Sequence, residues 1–417
     1  MPVRRLTPFP RASVPAKTIS AHQAKEILTI MRLINTTTLE FQEFFGNHIP
    51  KYAILSHTWG EGEVSYQDWQ DVVRQPIKNG FFKIWASCDM ARHYSLDYLW
   101  VDTNCINKDS SAELTEAINS MFAWYQRSAV CFVYLEDFDY GTSGLAYLGF
   151  CRYWTRGWTL QELLAPPEVH FFNPKWQPIG TKESLMDKLS KITHIESSYL
   201  KDGNTVRKAS IACRMSWAAY RSTTRAEDMA YCLMGIFGVN MPLLYGEGER
   251  AFSRLQEAII QHNNDQTIFC WSQSPWTRQG CWPWGGCLAP HPMTFRDSGG
   301  FKQPFSDSRL VKSDFQLTNS GLRINLLLLT CFLRWRRGTL AMLDAQDVSA
   351  FDCRLCICLT KKGANAFYRS DELLRIPRAW PTVAEEIYLL HNRDVPQISS
   401  NFPTTPSSTR NSASKAH

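Results

Sequence analysis

KYAILSHTWG, residues 51–60, is the stretch on which the fold turns. An unbroken apolar run, Tyr52 to Leu55, passes directly into Ser56, His57, Thr58, Trp59 and Gly60. A run without polar alternation reads as a strand buried on both faces, and its polar, glycine-ended continuation as the loop at its carboxyl end. Two further segments repeat the pattern: LDYLWVDT (96–103), ending in Asp102, and AVCFVYLED (129–137). Between them lie segments of helical period. IKNGFFKIWASCDMARHY carries Phe81, Ile84, Trp85, Cys88 and Ala91 on one predicted face. SSAELTEAINSMFAWYQRS opens on serine, has Glu113 and Glu116 in its first turns, and carries the stripe Leu114, Ile118, Met121, Phe122 and Tyr125. WTLQELLA (158–165) is a short predicted helix stopped by Pro166 and Pro167, and EVHFFNP a fourth strand.

Strand and helix in alternation predict an α/β fold, a parallel sheet covered by helices. Right-handed crossovers put the loops after the strands on one edge, where such sheets bind ligands. SHTWGEGE, DTNCINKD and EDFDYGTSG are therefore expected around one cleft. From about 180 to 262 the chain reads as helical. Thr224 and Glu227 are spaced as a capping box, Gly238 is placed to end that helix, and Phe252, Leu255 and Ile259 form the next apolar stripe. FQLTNSGLRINLLLL and SAFDCRLCICL predict a β-rich module. The expected division is a disordered extension 1–30, an α/β core 31–178, a helical extension 179–265, a β-rich C-terminal module 266–394 and a disordered tail 395–417.

Bulk composition excludes several classes. With 44% hydrophobic and 20% charged residues the chain is of globular type, and a net charge of +6 over 417 residues is too mild to argue for nucleic acid. No apolar run approaches the ~18 residues of a bilayer span, so no membrane is expected, and residues 1–20 lack the apolar stretch of a secretory signal. Thirteen cysteines, an odd number scattered through apolar segments, point to reduced thiols and a cytoplasmic setting. Cys353, Cys356 and Cys358 lack a second matching pair, so no metal is expected.

YAILSHTWG, DYLWVDTNCINKDSSAELTEAINSMFAWY, CFVYLED and RGWTLQELLAP, in that order, resemble the fungal heterokaryon-incompatibility (HET) domain. The resemblance continues through TTRAEDMAYCLMGIFGVNMPLLYGEGERAFSRLQEAI and LTNSGLRI. It departs at Asn104, where the family often has cysteine, at Asn107, where it often has aspartate, and at Ser95, where glycine is common. The resemblance implies a role in vegetative incompatibility, the death of fused hyphae of unlike genotype. HET domains are in turn similar to TIR domains, which implies a TIR/flavodoxin-like sheet. WTLQEL resembles the TIR helix whose glutamate is catalytic in NAD-cleaving members, and so implies Glu162 as a catalytic residue with NAD as substrate.

Cleaving the nicotinamide–ribose bond expels a neutral base from a cationic nitrogen, so one ionised carboxylate beside the oxocarbenium-like ribose suffices. Trp59, Trp158 and Tyr134 are the aromatic faces expected to line the cleft. Each candidate has a plainer reading. Glu162 could be a solvated residue of a short amphipathic helix, and Ser56, His57, Trp59 and Gly60 could contact a ligand or merely tie down the loop. Asp102 could hold a ribose hydroxyl, though capping the next helix is the favoured role; Arg156 could meet a phosphate or pair with Glu136 or Asp137. Arg225, Glu227 and Asp228 read as fixing the helical segment to the core. The competing function is a non-catalytic adaptor, working by self-association or with another incompatibility or signalling protein; a third is a degenerate member without death activity.

Overall fold

Every side chain of Ala53–His57 is buried, as a strand with neighbours on both sides and layers on both faces requires. In the computed structural model this strand is β3 of a seven-stranded sheet. The structure describes residues 30–71, 78–138, 144–272, 286–303, 315–333, 336–377 and 383–389. The strands are β1 (Ile30–Asn35), β2 (Phe41–Phe45), β3 (Ala53–His57), β4 (Tyr98–Trp100), β5 (Val130–Tyr134), β6 (Val169–Phe172) and β7 (Pro178–Thr181), in the order β2-β1-β4-β3-β5-β6-β7. The four expected strands, β4, β3, β5 and β6, are parallel neighbours. The sheet then extends by antiparallel strands at both edges. Those edge strands are not legible in the sequence: β2 alternates weakly and is largely exposed, and β1 joins it through a tight turn in which Asn35 Oδ1 accepts from the Thr37 and Thr38 amides.

Helices α1 (Tyr66–Gln70), α2 (Asn79–His93), α3 (Ser111–Arg127) and α4 (Thr159–Leu164) occupy the connections. Ser110 caps α3, its Oγ accepting from the Glu113 amide at 3.3 Å, so Asp102 does not take the capping role expected of it. The inward face of α2 also differs from expectation. Trp85 is 43% exposed beside Phe82, whereas Lys83 and Ser87 are buried. Lys83 points inward because its ammonium has a partner there, described below.

The chain from 182 to 272 is helical, ending α-helix Met234–Phe237 on Gly238 at φ 70° and continuing into Arg250–His262. The predicted capping box is absent. The helix starts at Asp228, while Glu227 Oε1 accepts from the Gly246 and Gly248 amides at 2.8 and 3.0 Å. Thr224 is used elsewhere, accepting from Arg156 at 3.2 Å, because Gly157 N to Ser222 O (2.8 Å) already pins this stretch to the loop before α4. The C-terminal part is a six-stranded, almost wholly antiparallel sheet that includes Gly321–Leu333, Cys353–Lys361 and Ala366–Pro377. One apolar core runs from the first sheet through the helices into this second sheet. Among the described residues no helix is long and apolar enough to cross a membrane. Of the segments read as disordered, 1–30 and 395–417, all but Ile30 lie outside the described residues, as do 390–394 of the expected β-rich module and 139–143 of the third loop.

Candidate functional site

The strand order, with β3 flanked by β4 on one side and β5 on the other, makes the region beyond the carboxyl ends of β3 and β4 the place where sheets of this kind bind ligands. Glu162 reaches it from the first turn of α4. All six residues of that helix are buried, so the reading as an amphipathic surface helix fails. Glu162 is 6% exposed, and its Oε2 accepts from Ser56 Oγ at 2.5 Å. Ser56 Oγ in turn lies 2.9 Å from the Tyr153 hydroxyl, and Tyr125, whose hydroxyl donates to Leu55 O at 3.0 Å, closes the other side. Burial, aided by the nearby Asp102 carboxylate, pushes Glu162 up to about 8, against the pull of Ser56, Tyr125 and Arg156. The ionised carboxylate expected from sequence is thus a largely protonated acid at neutral pH. Its helix is held from behind: Lys182 Nζ donates to Leu163 O and Pro166 O (3.3 and 2.6 Å), and Arg221 Nη1 donates to Arg156 O and Thr159 Oγ1 (2.7 and 3.0 Å).

A second polar group adjoins it. His57, buried at the end of β3, sits between two carboxylates, its Nε2 3.6 Å from Glu63 Oε2 and its Nδ1 4.0 Å from Asp102 Oδ1. Among the described residues neither ring nitrogen lies within hydrogen-bond distance of a partner. Glu63 accepts from Lys83 Nζ at 2.6 Å and from the Gly60 amide at 2.9 Å, which curls the SHTWGEGE loop back on itself. Burial would raise the Glu63 acid, but His57 and Lys83 outweigh it and bring it to about 2. A carboxyl lowered on folding stabilises the fold above its ordinary pKa of ~4.5, and that stability fades as pH falls toward 2. Glu63→Gln is therefore expected to lose about 1–3 kcal/mol at pH 7 and much less at pH 3; equal losses in urea melts at both pH values would refute this. Asp102 Oδ2 accepts from Trp59 Nε1 at 2.8 Å, and the Lys108 ammonium lies 3.6 Å from the Trp59 ring centroid.

Ser56, His57, Trp59, Asp102 and Glu162 thus converge, as the parallel order demands. Gly60 is in the same loop, where a Cβ would come within 3.1 Å of Glu136. Trp158 lies instead near Asp228 of the helical segment, where it favours that group's charged form. Tyr134 packs on Trp176 at 5.3 Å, with Lys83 5.9 Å above its ring. Arg156 makes neither expected acid pair. Arg152 does, reaching Glu136 at 3.4 Å and also Thr58 Oγ1 and Trp59 O. Asn104, one of the departures from the HET pattern, is fully buried, and its side-chain amide has no hydrogen-bond partner among the described residues. Sequence reasoning missed Tyr125, Tyr153, Glu63, Lys83, Lys108, Lys182 and Arg221. The tyrosines look like core, and a lysine at a helix-face position looks solvated; only the partner reveals the role.

The sequence profile of the family described as "Heterokaryon incompatibility protein (HET)" matches residues 52–148. Residues 52–148 are therefore similar to a HET domain. That match takes in β3 to β5 with Ser56, His57, Trp59, Gly60 and Asp102, and ends before α4 and Glu162. The chain is also 48% identical over 221 residues to "Vegetative incompatibility protein HET-E-1" of Podospora anserina. The alignment covers 51% of this chain but only 16% of that relative, so it spans a small part of the curated protein it matches. No solved structure matches.

Proposed function

We propose that this chain acts in heterokaryon (vegetative) incompatibility in the cytoplasm of a filamentous fungus, and that its HET domain triggers programmed cell death by hydrolysing NAD through Glu162. The incompatibility role rests on the HET profile and on the likeness to HET-E-1. The enzymatic step rests on one observation: a carboxyl at the crevice end of β3, within hydrogen-bond reach of Ser56 and close to Asp102. The second-first-third-fourth order of the parallel strands, shared with TIR and flavodoxin-like sheets, supports a TIR-like reading.

The chemistry is consistent with this environment. With Glu162 at about 8, roughly a tenth of it is ionised at neutral pH. A cationic nicotinamide ring alongside favours the ionised form further. The carboxylate then stabilises the oxocarbenium-like ribose as neutral nicotinamide leaves, and water completes the cleavage at that carbon. Ser56, hydrogen-bonded to both Glu162 and Tyr153, fixes the carboxyl group's direction. Inducible expression in a fungal host with NAD measured over time tests the proposal. Cell death with NAD unchanged would leave the incompatibility role and remove the hydrolase.

The adaptor reading has one observation in its favour. Tyr147 and Phe150 are 55% and 82% exposed, side by side on the HET domain, a surface suited to self-association or to a signalling partner. Under that reading Glu162→Gln kills as efficiently as the wild type.

A further inference from the structure

Trp59 stands just past the carboxyl end of β3, 47% exposed. Its ring plane is fixed by the Nε1 hydrogen bond to Asp102, and the Lys108 ammonium covers one face at 3.6 Å. The loop that carries Lys108 does not depend on that contact. Gln67 Nε2 holds its backbone neighbours, donating to Asn107 Oδ1 at 3.0 Å and Asp109 Oδ2 at 2.6 Å. The ammonium can therefore swing away on its flexible stem while the loop stays in place. The surroundings select for positive charge. Burial lowers the Lys108 pKa, while the Asp102 and Glu63 carboxylates act in the opposite direction and favour a cation there. Behind them, the buried His57 faces the same two carboxylates and, among the described residues, has no hydrogen bond at either ring nitrogen. An indole face carries negative charge density, and a flat cation covers more of it than an ammonium can.

We propose that the Trp59 indole is the receptor for a flat cationic heteroaromatic ring of the N-alkylated pyridinium class, and that Lys108 is a stand-in cation which this ring displaces. The nicotinamide ring of NAD belongs to that class, so the choice of ring rests on the NAD-hydrolase reading. Displaced Lys108 would stay within reach of the phosphates to which such a ring is joined in NAD.

Calorimetric titration of the full chain with 1-methylnicotinamide, which is cationic and lacks phosphate, and with neutral nicotinamide tests this. In Lys108→Met the cation is expected to bind ~10-fold tighter than in the wild type, the size of one desolvated cation–π contact, while nicotinamide is unaffected. Trp59→Leu abolishes the cation's binding, and Trp59→Phe, whose melting temperature verifies the fold, weakens it. Unchanged affinity in Lys108→Met, equal tightening of both rings, or full binding in Trp59→Phe and Trp59→Leu overturns the proposal. These titrations involve no turnover. Cation selectivity with NAD hydrolysis that persists in Glu162→Gln would therefore refute the catalytic role and keep the receptor; lost selectivity with Glu162-dependent hydrolysis would do the reverse.

Discussion

Glu162→Gln is expected to reduce NAD hydrolysis by ~10²–10³-fold, the usual cost of removing one group that stabilises charge in a transition state. The substitution is nearly isosteric, and glutamine can keep a hydrogen bond to Ser56 Oγ, now 2.5 Å from the acid. What is lost is the negative charge opposite the developing oxocarbenium. The wild-type rate should also report the acid's unusual state. With Glu162 at about 8 in the free protein, kcat/KM rises close to tenfold per pH unit up to that value and levels off above it. A profile flat from pH 6 to 9 would mean that another group carries the reaction, even if the glutamine variant were inactive.

The same substitution has a second expected consequence, opposite in sign. Glu162 is raised on folding, so between its ordinary pKa of ~4.5 and about 8 the folded chain keeps a proton that the unfolded chain gives up. Stability contributed by this group is full below that window, declines as pH rises through it, and is flat above it. Inside the window the decline approaches about 1.4 kcal/mol for every unit of pH. Glu162→Gln removes this decline and should be more stable than the wild type by a few kcal/mol at pH 8–9, with the advantage shrinking toward pH 5. Urea melts at pH 5, 8 and 9 measure this directly, and a constant offset would contradict the buried-acid account. Lower activity with higher stability is what separates a site held in a costly state for function from a residue that only packs.

Much of the framework that positions this acid was legible from residue order alone. β4, β5 and the first three residues of β3 are uninterrupted apolar runs, α3 has a clean 3.6-residue stripe and a serine cap, and right-handed crossovers then bring Ser56 and Asp102 to one edge. What periodicity cannot carry is the state of a polar residue once it is inside. LQELL reads as half-polar, yet Gln161 and Glu162 are both buried, because α4 is enclosed on every side by the sheet, α3 and the helical segment. Lys83 and Trp85 exchanged their expected roles on α2 for a similar reason: an internal carboxylate, Glu63, outweighed the ordinary preference of a lysine for water. Pairings over long sequence separation, such as Arg221 to Thr159 or Lys182 to Pro166 across the α4 ends, leave no local signature.

Gly235→Ala should be among the most destabilising single substitutions in the chain, although alanine is the better helix former by ~1 kcal/mol. Gly235 lies in the Met234–Phe237 turn, which packs against α3. A Cβ at 235 would overlap Phe122 Cβ and fall 2.8 Å from its Cγ. Phe122 is 5% exposed and part of the core stripe of α3. Because the overlap is with the first two side-chain atoms, no rotation of the ring relieves it; the two helices must move apart. Overpacking usually costs ~1–3 kcal/mol, more where backbone has to shift, and this case belongs at or above the upper end. Phe122→Leu should not rescue it, since leucine keeps both clashing positions. Gly363→Ala is the control, its Cβ meeting only Ala366 at 3.6 Å, and should stay within about 0.5 kcal/mol of the wild type. The comparison also bears on function. This contact seats the helical segment on α3, and the same segment supplies Arg221, whose guanidinium holds the Arg156 carbonyl and Thr159 at the start of α4. Separation of the helices should therefore shift Glu162 from Ser56, and NAD hydrolysis should fall along with the urea midpoint. A Gly235→Ala protein with wild-type stability would mean that the helical segment is not seated on α3 as described.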